Sequence, residues 1–348
     1  MAKSLNAVLL LVLLLAVACV PSSNMQPVPT SSGITPSSAI SKETPDDAPE
    51  LSPPAVPQNP GTPEEYLAEG NAFAATGDFA SAIAAYNKAI QLRPDYADAF
   101  NNRGRTLADM GDYRESVADF DQAILLNPEI VLYYLNRGDA HLKLGNTDLA
   151  IKDFNQAIFL EPQNSAGYIN RGRAYRYAGD GALALADFNR AIDLNAESPD
   201  AYIGRGNTYT DQNDYESALT DYTTAIELRP DDALAYSNRS VVYHYFGKHD
   251  EALADLDKAI SLKPDYADAY FNRGNVYFDR REYNLAIEDY TKATELSPRY
   301  AKAFFLRSKV YMETSEREKA IQDLQTALAL GLDSDLKPQA EALLRQLQ

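Results

Sequence analysis

One spacing rule constrains this chain more than anything else in it. From Pro63 to Ser334 the same arrangement of small, aromatic and proline residues returns every 34 residues, eight times, without insertion or deletion. The stretch ADAYFNRGNVYFDRREYNLAIEDYTKATELSPRY, Ala267 to Tyr300, displays it. With Ala267 as position 1, Gly274 stands at 8, Tyr277 at 11, Ala286 at 20, Tyr290 at 24, Ala293 at 27 and Pro298 at 32. Position 20 reads Ala82, Ser116, Ala150, Ala184, Ala218, Ala252, Ala286 and Ala320, and position 27 is alanine in all eight units.

Apolar residues fall at helical spacing over positions 1–14 and again over about 16–30, which predicts two helices, A and B, in each unit. Between them, Gly77-Asp78, Gly111-Asp112, Gly145-Asn146 and Gly179-Asp180 supply turn and N-cap chemistry. Small residues at 8, 20 and 27 let the helices approach closely, and the aromatic at 24 (Tyr86, Phe120, Phe154, Phe188, Tyr222, Tyr290) fills the seam. Proline at 32 ends helix B, because it lacks an N–H and disfavours helix in the residue before it. A lone hairpin cannot bury both apolar faces, so the units must stack, and the core grows in one dimension.

This pattern resembles the tetratricopeptide repeat, TPR. The resemblance implies an all-α, right-handed superhelical α-solenoid of eight helix-turn-helix units: 63–96, 97–130, 131–164, 165–198, 199–232, 233–266, 267–300 and 301–334. Unit 1 has Ala68-Glu69 where units 2, 3, 4, 6 and 7 have Asn-Arg, as suits a terminal repeat, and Pro63-Glu64-Glu65 suits a helix start. Unit 4 has Ala196 in place of the helix-ending proline, so a looser joint is expected from Asn195 to Pro199. Residues 335–348 place Leu336, Ala340, Leu343, Leu344 and Leu347 on one helical face, which predicts a capping helix over unit 8.

Arginine holds position 7 in units 2 to 8 (Arg103, Arg137, Arg171, Arg205, Arg239, Arg273, Arg307). Aspartate holds position 23 in the same seven (Asp119, Asp153, Asp187, Asp221, Asp255, Asp289, Asp323). Both positions lie at the edge of a core face, where a charge-assisted pair is partly shielded from water. Pairing between units would set Arg103 against Ala85, whereas pairing within a unit satisfies all seven. Structural ion pairs inside each repeat are therefore expected.

Acids outnumber bases 50 to 32, for a formal charge of −18, and no basic run occurs, so nucleic acid is not an expected partner. The one cysteine, Cys19, excludes an intrachain disulfide or a CxxC metal site. His141, His244 and His249 occupy different slots of the repeat and do not make metal spacing. With no glycine-rich phosphate loop and no nucleophile matched to a histidine, the chain is expected to be non-catalytic, with no cofactor and no metal.

Residues 1–19 read as an export signal. Lys3 precedes an apolar run of 14 residues, Ala7 to Val20, which at ~1.5 Å per residue is too short for a ~30 Å hydrocarbon core. Its end, Leu15-Ala16-Val17-Ala18-Cys19, looks like the bacterial lipobox, with Ala16 where leucine is favoured. That resemblance implies lipidation of Cys19, with the mature protein exported and anchored to a bacterial membrane, facing periplasm or cell exterior. Residues 20–62, with ten prolines and few large apolar residues, read as a disordered tether.

The combination predicts a membrane-anchored protein–protein interaction scaffold that binds extended peptide segments of other proteins in a concave groove. The alternative is a structural assembly factor or spacer of an envelope complex such as a pilus, secretion or export machine. Positions 2, 5, 6, 9, 12 and 13 of helix A form the face that resembles the family's concave surface. Position 6 is asparagine in five units (Asn102, Asn136, Asn170, Asn238, Asn272), interrupted by Gly204. An amide can bond both the N–H and the C=O of a peptide backbone, and this row looks like the asparagine ladder of O-linked N-acetylglucosamine transferase. Phe271, Phe278, Phe305, Met312 and Tyr245 are the expected apolar anchors.

Overall fold

The computed structural model describes residues 61–348, which form seventeen α-helices and no strand. Sixteen pair in chain order: α1 Pro63–Ala75 with α2 Phe79–Leu92, α3 Ala97–Met110 with α4 Tyr113–Leu126, α5 Val131–Lys143 with α6 Thr147–Leu160, and α7 Ser165–Ala178 with α8 Gly181–Leu194. Then follow α9 Pro199–Asp211 with α10 Tyr215–Leu228, α11 Ala233–Tyr245 with α12 His249–Leu262, α13 Ala267–Asp279 with α14 Tyr283–Leu296, and α15 Ala301–Glu313 with α16 Arg317–Leu330. The last, α17, spans Lys337–Leu347. Each B helix packs on its own A helix and on the A helix of the next unit. Successive A helices also touch one another from α1 to α13, while successive B helices do not pack as pairs. A row that closes on one side and splays on the other must curve, so the A helices line the inner face of the solenoid and the B helices the outer.

Local chemistry sets the element ends. Thr62 and Glu65 form a capping box at the start of α1, each bonding the other's backbone N–H. Of the four Asp or Asn residues read as caps for helix B, only Asp78 accepts a backbone N–H, from Ser81 at 3.1 Å; Asp112, Asn146 and Asp180 make no such bond. Glycine at position 15 adopts φ of 70° to 90° in the five units that have it, a region that costs an L-residue about 1–2 kcal/mol. Asn213, Arg281 and Ser315 enter the same region at φ near 60° without that freedom.

The joint after unit 4 is built like the others, contrary to the expectation of a looser one. Asn195 has φ −148° and ψ 93°, against −145° and 90° at Asn127, which precedes a proline. The Asn195 side chain accepts the Glu197 N–H at 3.1 Å, so an Asx turn bends the chain where proline does elsewhere.

Position 8 and position 24 are matched in size. In units 1 to 5 and 7 a glycine faces the aromatic ring so closely that a Cβ would stand between 2.5 and 3.1 Å from it. Units 6 and 8 carry Ser240 and Ser308 at position 8, and there position 24 is Leu256 and Leu324. All four of those side chains are buried. At the far end α17 lays Leu336, Ala340, Leu343, Leu344 and Leu347 over Phe305, Leu324, Ala327 and Leu332, closing the last apolar face.

Candidate protein-interaction surface

Seven arginines tie the array together. Within each of units 2 to 8, Nε and Nη2 of the position 7 arginine donate to the two carboxylate oxygens of the position 23 aspartate, at 2.6–2.9 Å. These aspartates are 3–6% exposed. The hydrogen bonds that Arg171, Arg205 and Arg239 donate to Asp187, Asp221 and Asp255 raise the pKa of the arginines. Burial pushes Asp289 up, and its bonds to Arg273 oppose that.

The third donor, Nη1, crosses to position 25 of the preceding unit: Asn87, Asp121, Asn155, Asn189, Thr223, Asp257 and Thr291. Sequence reasoning missed this second contact. Its signal was present, since position 25 carries an oxygen acceptor in every unit that has a following arginine.

The position 6 asparagines lie on the seam between A helices, and their amides are partly spent there. Asn102 and Asn238 donate to Asn71 and Asn207 of the preceding unit at 2.9 Å. Asn136 donates to Asn101 at 2.8 Å and Asn272 to the Ser237 hydroxyl at 3.3 Å. Asn170 is buried, and its carbonyl accepts from Arg173 at 2.6 Å. Among the described residues the carbonyl oxygens of Asn136, Asn238 and Asn272 have no such donor. The interruption at Gly204 has a packing cause: a Cβ there would stand 2.2 Å from the ring of Phe188 in the preceding unit.

Position 9 responds to position 24 as well. Tyr86, Tyr222 and Tyr290 donate their hydroxyls to Asn71, Asn207 and Asn275 at 2.7–2.8 Å. Where position 24 is phenylalanine, position 9 is Arg105, Asp139 or Arg173, because no buried hydroxyl needs an acceptor. On the inner face Arg173 donates to Asp139 at 3.2 Å across one seam, and Arg176 donates to Asp211 across the next through Nε at 2.5 Å and Nη2 at 3.2 Å.

The expected apolar anchors divide. Phe271 and Phe278 are half-buried, the first stacked on Tyr300 with centroids 4.9 Å apart, the second under Lys309. Phe305 does not line the groove: it is 1% exposed, enclosed by α17, which occupies the place of a ninth unit. Met312 is half-buried, and Tyr245 is 58% exposed, stacked on Tyr215 at 3.8 Å. His244 Nε2 meets Asp279 at 2.7 Å with His249 beside it. Among the described residues no group of three or more His, Cys, Asp or Glu is placed to hold a metal ion, and no helix is long and apolar enough to cross a membrane. The signal segment, Cys19 and the tether up to residue 60 lie outside the described residues.

Family models described as TPR repeat match residues 70–111, 206–245 and 242–280, and models described as tetratricopeptide repeat match 101–165 and 267–300. Together they cover more than half of the chain. No curated protein matches it. Among solved structures it is similar to the APC/C hetero-tetramer Cut9-Hcn1, with TM-score 0.65 at 19% identity over 82% of this chain and 55% of that one. The chain thus spans about half the length of that relative. A tetratricopeptide repeat protein from Parabacteroides merdae gives TM-score 0.60 at 23% identity over 72% of this chain and 98% of that one. A monomeric mutant of IFIT1 with Gppp-AAAA gives 0.57 at 16% over 78% and 72%. At these identities the likeness establishes the fold alone. TPR repeats are typically non-catalytic modules that bind other proteins or peptides, and this chain belongs to the tetratricopeptide repeat family.

Proposed function

We infer that the array is a membrane-tethered scaffold whose inner face binds extended peptide segments of other proteins. The observation that carries this reading is the continuous row of A helices, on which seam hydrogen bonds fix the position 6 amides of Asn136, Asn238 and Asn272 and leave their carbonyl oxygens without a partner among the described residues. Carbonyls accept backbone N–H groups and read no side chain, so binding is tolerant of sequence and weak. At about 1 kcal/mol net per hydrogen bond, three such contacts fall short of the ~4 kcal/mol of a millimolar complex. Half-buried Phe271 and Phe278 add apolar contact and concentrate affinity toward units 6 to 8. Cys19, at the end of the signal-like segment, is the residue that would carry the lipid, and the proline-rich stretch behind it would let the array work away from a bacterial envelope membrane.

A photocrosslinking residue at position 9, in place of Val241 or Lys309, captures the partner, and capture at Lys258 on the outer face is the control. Replacing Asn136, Asn170, Asn238 and Asn272 together by alanine weakens the captured peptide tenfold or more, read against the variant's own stability because the seam bonds go too. Unchanged affinity in a folded variant removes the groove reading. Cys19→Ala moves the protein from the membrane fraction to the soluble one; an unmodified Cys19 in mass spectra of the mature protein removes the anchor.

A further inference from the structure

The most exposed apolar side chains of the array are gathered near the point where the chain enters it. Each B helix ends, and the next A helix begins, on one edge of the solenoid, and the chain enters α1 at that same edge through Gly61 and Thr62. Along this edge position 29 reads Gln91, Leu125 and Phe159 in units 1 to 3, then Asp193, Glu227, Ser261, Glu295 and Ala329. Leu125 and Phe159 are 74% and 78% exposed, more than any other large apolar side chain of the described residues. Leu92 at the end of α2, and Leu126, Ile130 and Leu132 at the α4–α5 connection, extend them into a row at 36–51%. The packing of the repeat does not require it, since position 29 is polar or alanine in the other six units. An exposed apolar patch of this kind marks a contact surface.

Charge and reach select what covers it. On the outer face of units 2 and 3 exposed Asp112, Glu115, Asp121, Glu129, Asp148 and Glu161 outnumber Arg114 and Lys152. That surplus of acid repels an acidic partner, an anionic membrane surface or a second copy of the same face. An uncharged apolar segment meets no such cost, and the chain carries one immediately before the array. Residues 51–60, LSPPAVPQNP, hold no charge and four prolines, with Leu51 and Val56 as the large apolar side chains. At the ~3.1 Å per residue of a polyproline segment, Val56 reaches ~16 Å from Gly61 and Leu51 reaches ~31 Å. Within the array α1 touches α3, α3 touches α5 and α5 touches α7, and helices in contact lie ~10 Å apart. Leu92, the group from Leu125 to Leu132, and Phe159 stand at the starts of α3, α5 and α7, hence roughly 10, 20 and 30 Å from Gly61. The apolar row ends where the reach of the segment ends. Both then turn acidic, the array at Glu161 and Asp193, the chain at Glu50, Asp47 and Asp46.

We propose that residues 51–60 lie as a strap along this edge, Val56 between Leu92 and Leu126 and Leu51 against Phe159, covering the apolar row of units 1 to 3 and leaving the inner groove free. The proline rings between them fill the space at Leu125 and lose little entropy on ordering. Because the strap is joined directly to α1, its effective concentration is millimolar or higher, so a contact too weak to form between separate molecules is occupied within one. The test uses the full chain with an apolar photocrosslinking residue in place of Leu51, expected to link within one chain to residues 125–132 or 152–163 as read by mass spectrometry. The second readout is the rate at which a glutamate-specific protease cuts after Glu50. A strap docked in ~90% of chains leaves one in ten open, so Leu125→Ser/Phe159→Ser, at exposed sites that leave folding intact, raises that rate by about tenfold and removes the crosslinks. Leu228→Ser, at an exposed leucine of the same edge in unit 5 and beyond reach, leaves both readouts unchanged. Equal cleavage rates in the parent chain and the double serine variant overturn the proposal, as do crosslinks spread over all eight units or onto the inner face. Crosslinks between chains overturn it as well, and assign the row to a second copy.

Discussion

The size match between positions 8 and 24 makes a quantitative double-mutant test possible, because units 6 and 8 already contain its product. In unit 3, a Cβ on Gly138 would lie 2.5 Å from the Phe154 ring, and that ring is fully buried against Ala150 and Ala174. Gly138→Ser therefore forces the ring to move by about 1 Å into packed surroundings, a cost of ~1–3 kcal/mol typical of overpacking. Phe154→Leu alone removes apolar contact and costs about 1 kcal/mol, the difference between typical Phe→Ala and Leu→Ala losses. If the sites are independent, the double variant loses ~2–4 kcal/mol; if they pack as Ser240 does with Leu256, it loses only about 1 kcal/mol. Because a solenoid opens locally rather than all at once, the readout is native-state hydrogen exchange of α5, α6 and α7 in the four proteins of the cycle. A coupling energy within ~0.5 kcal/mol of zero refutes the size-matching argument.

Arg281→Gly relieves a left-handed residue at an exposed turn and is expected to stabilise unit 7 by about 1 kcal/mol, measured by urea denaturation. Deleting residues 336–348 uncovers Phe305, Leu324, Ala327 and Leu332; at ~25 cal/mol per Å2 the loss is several kcal/mol, confined by hydrogen exchange to the last one or two units. Arg171→Met leaves the 5% exposed carboxylate of Asp187 without its partner, for a local loss of ~3–5 kcal/mol, and Arg171→Met/Asp187→Leu recovers most of it. Burial lowers the pKa of His141 below 6.5. In the window below 6.5 the unfolded chain takes up a proton before the folded chain does, so stability is full above pH 6.5 and falls as pH drops through that window. His141→Gln removes that part of the slope in pH-dependent melting.

What could be read from the sequence was whatever depends on one residue's own slot in the period. Ala82 and its equivalents at position 20 had to be small in any stacked hairpin, and Arg103 and Asp119 could be paired by elimination because only one pairing left no arginine facing alanine. What could not be read depends on two slots at once, often in different units. The partner of Arg103 Nη1 is Asn87, 16 residues back in another repeat, and becomes visible only when the acceptor at position 25 is compared with the arginine that follows it. Phe305 carried a groove position by number, but position 5 is buried by the A helix that follows in units 2, 4, 5 and 6 (Asn101, Ile169, Ile203, Ser237), and α17 plays that part for unit 8. The asparagines show the same limit with a functional consequence. Asn102 and Asn238 sit at equivalent positions and donate to position 9, because that position is Asn71 or Asn207, held in place by a tyrosine hydroxyl. Asn136 and Asn272 turn to position 5 instead, where Asn101 and Ser237 offer an oxygen. A row that looks uniform in the sequence is thus two kinds of seam, which spare the acceptor at Asn136, Asn238 and Asn272 but not at Asn102, whose carbonyl accepts from Asn101, nor at Asn170, whose carbonyl accepts from Arg173. A backbone bound along the inner face can therefore offer its N–H groups to the carbonyls of Asn136, Asn238 and Asn272, while its own carbonyls can be met by the second N–H of each amide, the first being spent on the seam, and by Lys309 at position 9.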